Sequence, residues 1–491
     1  MASPSSSYTP RVPAQSVLYG VVRDYLETFL ARAAESRDGA RLPGFVEREF
    51  RDFLRCGQLA AGFARLRCGS CGTDRLLPLS CKRRTVCASC GGRRMTERAA
   101  HLVDHVFPDV PVRQWVLSLP YRLRYQLAWN HDLCRAVTAV TMRAILKFLR
   151  DKARIAGADD ARGGAVVIVQ RFGGSVNLNL HFHILALDGV FVPDGEALRF
   201  RRLSALDALD VADVLASIVP RVRRVLARCG MGDEMGDAGG TLGLWADAEP
   251  VLAGVAAASV QGRVALGPRA GQRLRRRGFR REETADWPIG PCHARQDGFD
   301  LQAAVRIPAG HRDRLQRICT YVLRPPVPAD RLQLTSDGQV LLELKRRWSD
   351  GTTHLVFDPL ELLERLASII PRPRINLVLY YGVLGARSAW RAKIVPASAA
   401  AKASPGPVAS PGPRGLRWAD LMRRSFGFDV LACAACGGRL RLLAIIEHPA
   451  VIRRILTHLG LPAEIPAPRG ARDPPRHSDA APDPTSFDFG A

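Results

Sequence analysis

Apolar residues recur at helical spacing over residues 16–36 (Leu18, Val21, Val22, Tyr25, Leu26, Phe29 and Leu30), which predicts a helix with one buried face. Residues 43–54 repeat the pattern and lead to a first cysteine, Cys56. The period then shortens. Val112-Arg-Gln-Trp-Val-Leu-Ser-Leu-Pro120 alternates, with Trp115, Leu117 and Leu119 on one side, and predicts a strand. A long helical stretch covers about 125–153. Two apolar runs, 165–170 and 177–187, read as buried strands joined by a turn at Gly173-Gly174, the second ending at the Asp188-Gly189 turn signal.

After Pro193 the pattern loosens into helical pieces around 204–227 and then Gly- and Arg-rich sequence that includes Arg273-Leu-Arg-Arg-Arg277-Gly-Phe-Arg280-Arg281. That run reads equally as a solvated segment or as an electrostatic contact. Order returns with a strand over 301–307 and a helix over 311–323, stopped by Arg324-Pro325-Pro326. Three strands follow at 331–335, 339–347 and 353–357, joined by two Ser-Asp-Gly turns, and then a helix over 359–370. Tyr380 and Tyr381 lie in an apolar strand-like run and read as core. The pattern predicts an α+β fold in which a central antiparallel sheet with flanking helices is preceded by a helical and zinc-binding N-terminal module.

The expected organisation is N-terminal helices over 1–55, a zinc module over 56–108, a catalytic core over 109–395 with an Arg/Gly-rich insertion at about 228–297, and a linker over 396–417. A small module carrying Cys433-Ala-Ala-Cys436 (418–462) and a disordered tail (463–491) complete it.

Candidate chemistry starts on the second buried strand. Side chains at i and i+2 share a face, so His181 and His183 point the same way while Phe182 enters the core, and two adjacent imidazoles make a metal-binding edge. Asn179 shares that face and Gln170 is a neighbour; both are candidates for a third ligand. Imidazole suits transition metals better than magnesium, so Mn2+ binds more tightly even where Mg2+ is the working ion. Cys68-Gly-Ser-Cys71 and Cys87-Ala-Ser-Cys90, separated by fifteen residues, match a four-thiolate Zn2+ site, structural because no coordination position stays open. Cys56 and Cys81 are spare and either could replace an assumed ligand. Cys433 and Cys436 form half a site that His448 or His458 would complete.

The chain has 491 residues, twelve cysteines and a formal net charge of +24. A charge of that size points to a polyanionic partner, because Lys and Arg gain affinity for nucleic acid by releasing its counterions. Lys82, Arg83, Arg84 and Arg93-Arg94 near the knuckles, Arg324, and the cluster Lys345-Arg346-Arg347-Trp348 on the expected middle strand are the candidate DNA contacts. No apolar run is long enough to span a bilayer and no basic-then-hydrophobic leader opens the chain, so no membrane partner and a cytoplasmic, nucleoid-associated location are expected. Twelve clustered cysteines in a reducing compartment favour metal over disulfides.

In order, the cysteine knuckles, Arg113-Gln-Trp-Val-Leu-Ser-Leu-Pro120, Leu180-His181-Phe182-His183, Tyr321-Val-Leu-Arg-Pro-Pro326, Trp348-Ser-Asp-Gly-Thr-Thr-His354 and Cys433-Ala-Ala-Cys436-Gly-Gly resemble the bacterial rolling-circle transposases of the insertion sequence 91 family, within the His-hydrophobic-His superfamily of single-strand DNA nucleases. The resemblance covers roughly residues 16–462. It implies that Tyr321 attacks a phosphate of single-stranded or hairpin DNA at element ends or target, with Mg2+ or Mn2+ on the two histidines, giving a 5′-phosphotyrosine and a free 3′-OH. Two-tyrosine members carry a second tyrosine four residues earlier; here that position is Arg317, so the chain resembles the one-tyrosine branch, in which one residue serves each cleavage in turn or two protomers of a homodimer cooperate. Competing readings are a plasmid replication initiator or relaxase, and a zinc-dependent DNA-binding protein that does not cut.

Overall fold

The computed structural model describes residues 13–231, 244–278, 290–327, 329–395, 419–420, 422–423 and 429–471. Ser16 caps the first helix, Val17–Glu35, by accepting from the Tyr19 amide, and the second helix, Gly44–Arg55, packs against it with Phe29 and Phe50 edge to face at 6.2 Å between ring centroids. Both bury their apolar stripes in the main core.

A six-stranded antiparallel sheet organises the rest. Its spatial order is Val378–Gly382, Gly164–Phe172, Leu178–Leu187, Val112–Ser118, Phe299–Ile307 and His293–Gln296. The strand carrying the two histidines is central, so both its edges are paired and its registry is fixed on each side: Gln170 and Ser118 both lie opposite His181. Alternation gives the sheet two unlike faces. Trp115, Leu117, Val167, Val169, Phe182 and Ile184 sink into the main core. Val166, Ile168 and Leu185, on the histidine side, meet Leu315, Cys319 and Val322 of the helix Arg312–Val322 in a separate core. Behind the sheet, the single long helix expected over 125–153 is two, Tyr121–Trp129 and His131–Ile155. Asn130 divides them: its extended backbone ends the first and its side chain caps the second by accepting from the Leu133 amide.

A second sheet joins Leu332–Leu334, Val340–Glu343, Thr352–Phe357 and Arg275–Gly278 in that order. Two expectations change here. The middle strand ends at Glu343, so Lys345, Arg346 and Arg347 stand exposed on the following turn rather than on a strand. The Arg-rich run supplies an edge strand, because its charge is matched locally: Arg275 pairs with Asp358 at 2.7 Å, and Arg276 pairs with Asp350 at 2.7 Å while stacking over Trp348. Arg280 and Arg281 lie outside the described residues, as does the expected linker.

The third sheet departs furthest from the expected organisation. Leu440–Ile446, from the expected C-terminal module, pairs antiparallel with Phe63–Cys68, whose other edge pairs with Asp74–Pro78. Of the expected tail, residues up to 471 are described: Arg469 donates its amide to the Arg23 carbonyl (2.9 Å) and its guanidinium pairs with Asp24. Among the described residues, no helix is long and apolar enough to cross a membrane.

Candidate active site and cysteine clusters

On the central strand His181 and His183 share a face, with ring centroids 4.9 Å apart. The Asn179 carbonyl accepts from His181 Nδ1 at 2.8 Å, which holds the proton there and leaves a lone pair on Nε2. His183 Nδ1 lies 2.9 Å from the side-chain amide of Gln114, two strand positions along the same face from Val116, which sits opposite His183. The amide nitrogen faces the ring and donates to Nδ1, which leaves the ring proton on the imidazole Nε2; the amide turned over would accept from Nδ1–H and free that Nε2 for a cation. Burial depresses both imidazoles, His181 to about 4 and His183 to about 3, so both are neutral, as a ligand must be.

The surroundings suit a cation. His183 Nε2, Gln170 Oε1 and Asn179 Oδ1 are buried without a partner, and Gln170 sits directly across from His181. Orphaned buried polar atoms are costly, and unpartnered amide oxygens on and across from the histidine strand are of the kind a cation satisfies.

Tyr321 faces this edge. Its ring meets His183 edge-on at 6.4 Å, and the residue is 40% exposed, so the phenol is open to solvent while the helix beneath it is packed. Gln170 Nε2 donates to the Val322 carbonyl at 3.1 Å, tying the helix end to the sheet. The Arg324 guanidinium lies 4.3 Å and the Lys345 ammonium 4.8 Å from the centre of the Tyr321 ring. Arg317, one turn earlier, is exposed and paired with Asp313. Beside the tyrosine opens a cleft lined by Arg84, Arg94, Arg98, Arg171, Gln170 and Arg324.

Of the expected DNA contacts, Arg84 and Arg324 line this cleft and Lys345 reaches the tyrosine. Arg83 pairs with Asp52 at 2.7 Å, and Arg346 and Arg347 lie near Lys345 in sequence, exposed. Gln114, Arg98 and Arg171 were not singled out by the sequence. Gln114 lies on the opposite side of its strand from Trp115 and Leu117, and nothing local in the sequence marks it as a partner of the histidines. Arg98 sits inside a helix, likewise unmarked.

The cysteines divide differently from their spacing. Cys68, Cys71, Cys87 and Cys90 do not converge. Cys87 and Cys90 join Cys56 and Cys81, while Cys68 and Cys71 join Cys433 and Cys436, each set with all four sulfurs within 4.8 Å of one another. In the first set the Sγ separations are 3.5–3.6 Å, near the edge of about 3.8 Å for a tetrahedron with Zn–S of about 2.3 Å. The physical reason is placement: Cys56 ends the second helix and Cys87 caps Ala88–His105, so the buried ends of two helices meet at the metal position. Cys68, by contrast, ends the middle strand of the three-stranded sheet, beside the strand that follows Cys433 and Cys436. In the second set, Cys71 is drawn down to about 6, chiefly by its hydrogen bond with the Thr73 hydroxyl. His448 and His458 are exposed and belong to neither cluster.

A family model for a transposase zinc-binding domain matches residues 21–119, and one described as "Putative transposase" matches residues 255–391. Both matches are to transposase domains. With its cysteine-bearing N-terminal segment, the chain belongs to the insertion sequence 91 family, acts on DNA and carries structural zinc. No curated protein and no solved structure matches it.

Proposed function

We propose that this transposase nicks and rejoins single-stranded or hairpin DNA at element ends by tyrosine transesterification, in rolling-circle transposition. The observation that carries the reading is the half-exposed Tyr321, whose ring meets that of His183 at 6.4 Å, with the neutral imidazole of His181 beside it on the same strand face. His181 and His183 would hold the cation, with Gln170 and Asn179 completing it. A divalent ion bound there, Mg2+ or Mn2+, supplies Lewis-acid polarisation of the scissile phosphate.

The chain's own residues do the rest. Tyr321 Oη attacks phosphorus and gives up its proton, the bond to O3′ breaks, and the departing oxygen takes a proton to become a free 3′-OH. The 5′-phosphate stays on the tyrosine. One phosphoester replaces another, so joining is the reverse step with an incoming 3′-OH and needs no ATP. Arg324 and Lys345, flanking the ring, stand where they can hold the phosphate against the phenol, and the Arg84, Arg94 and Arg98 cleft leads a strand to them. With Arg317 at the preceding turn, a single tyrosine serves each cleavage in turn, or two protomers supply one each.

The test is incubation with labelled single-stranded DNA from the element ends with Mg2+ or Mn2+. A denaturation-resistant adduct forms with the native protein, and Tyr321→Phe abolishes it while DNA binding changes less than about threefold, the loss expected for one rim contact. Cutting that survives Tyr321→Phe makes water the nucleophile. Tight binding without adduct on any end sequence leaves a DNA-binding protein that does not cut.

A further inference from the structure

The second cysteine cluster joins parts of the chain 368 positions apart, and two of its four members lie far outside the segment matched by the zinc-binding family model. We infer that Cys68, Cys71, Cys433 and Cys436 hold a second zinc ion, which clasps the C-terminal segment 429–471 onto the N-terminal hairpin.

Three observations converge. The sulfurs are spaced for one metal: Cys68 to Cys436 is 3.5 Å and Cys71 to Cys433 is 3.7 Å, close to a tetrahedral edge and well beyond the S–S bond of about 2.05 Å. The two halves are also the same device. Each is Cys-x-x-Cys-Gly, with the glycine in left-handed backbone at φ 73° (Gly72) and 70° (Gly437), and in each the glycine amide returns to the first cysteine's carbonyl, at 3.1 and 2.8 Å. That tight turn wraps the backbone around a pair of thiolates.

The third observation is the closeness of the halves. A Cβ on Gly438 would stand 2.6 Å from Ser70 Oγ and 3.1 Å from Cys68 Sγ, so the second knuckle seats against the first only because this position has no side chain. Apolar contact alone is a thin anchor. The clusters shared by the two segments contain Leu66, Cys68, Cys433 and Leu440 in one and Phe63, Ile452 and Leu456 in the other. A segment this short without a core of its own generally needs a metal or a disulfide. Four soft thiolates select zinc over magnesium or calcium, and a full shell makes the site structural. The inference stands independently of the tyrosine chemistry.

The test uses the full chain, zinc-loaded, under a phosphine reductant, alkylated with N-ethylmaleimide and read peptide by peptide by mass spectrometry. Cys71, Cys436 and Cys229 are all exposed, so exposure alone predicts equal labelling. With zinc bound, Cys71 and Cys436 label about tenfold more slowly than Cys229, or slower still. Chelation then brings both to the Cys229 rate and releases two zinc ions per chain. Cys436→Ala lowers the count to one and exposes Cys71, whereas Cys436→His keeps both ions and the protection of Cys71. Labelling of Cys71 or Cys436 at the Cys229 rate in the loaded protein, or release of a single ion, overturns the proposal. Neither readout depends on a variant that folds.

Discussion

His183 shows how much of the site rests on a residue that does no chemistry itself. The residue is 6% exposed, and its only hydrogen bond among the described residues is to Gln114, so the glutamine decides which nitrogen is offered to a metal. A partner of this kind typically contributes ten- to a hundredfold in metal affinity. Gln114→Leu is therefore expected to raise the Mn2+ concentration needed for half-maximal adduct formation by about 10- to 100-fold while leaving DNA binding intact. An unchanged Mn2+ titration would remove Gln114 from the site. The two histidines were legible in the sequence because alternation on a strand is a local rule. Gln114 was not, since its role depends on which strand lies beside His183.

At the scale of elements, the first cysteine cluster and the tyrosine are mechanically connected. Cys87 and Cys90 sit at the start of the helix Ala88–His105, and that helix packs on the tyrosine helix. Gly91, next to Cys90, approaches Pro325 so closely that an added Cβ would lie 2.8 Å from the proline Cβ. Pro325 stops the helix four residues after Tyr321, so one close packing contact lies between the cysteine cluster and the phenol. Gly91→Val should push Pro325 outward and misplace the nucleophile by a fraction of an ångström or more, lowering the single-turnover rate of adduct formation by about 100-fold. Binding to single-stranded DNA and the zinc content should stay unchanged; a variant with native adduct kinetics would show that the two elements are not coupled. The helix 311–323 and its proline stop were readable from periodicity and from the breaker residues, but the seat of the stop against Gly91 was not, because nothing in either segment refers to the other.

Over the whole molecule the excess positive charge is not spread evenly in effect. Many arginines are spent inside the protein, as in the Arg113 pair with Asp188 at 2.7 Å and the Arg269 pair with Glu361 at 2.5 Å. Arg84, Arg94, Arg98 and Arg324, around the cleft, form no ion pair among the described residues. On the proposed reading these are the arginines that meet phosphates. Single-strand affinity should fall with added salt, and Arg94→Ala should reduce the slope of log K against log salt by about 0.7, the value for one lost phosphate contact. Arg276→Ala, removing an arginine already engaged with Asp350 and Trp348, should leave that slope unchanged; equal effects would mean that charge acts without regard to place.

Most strands and helices of the central sheet, the histidine pair on one strand face, the tyrosine at the end of its helix and the basic character of the chain followed from the sequence, because period, breakers and charge act over a few residues; the strands Phe63–Cys68, Asp74–Pro78 and Leu440–Ile446 did not. The membership of the cysteine clusters was decided only in three dimensions. Two Cys-x-x-Cys knuckles at a plausible spacing satisfy the chemistry of zinc whichever pairs combine, and the sequence holds three such knuckles and six single cysteines, of which Cys56 and Cys81 lie nearest the first two. Burial of the helix ends at Cys56 and Cys87, and the pairing of the strand Leu440–Ile446 with Phe63–Cys68, choose the combination. These are contacts between segments hundreds of residues apart, and no local pattern specifies them.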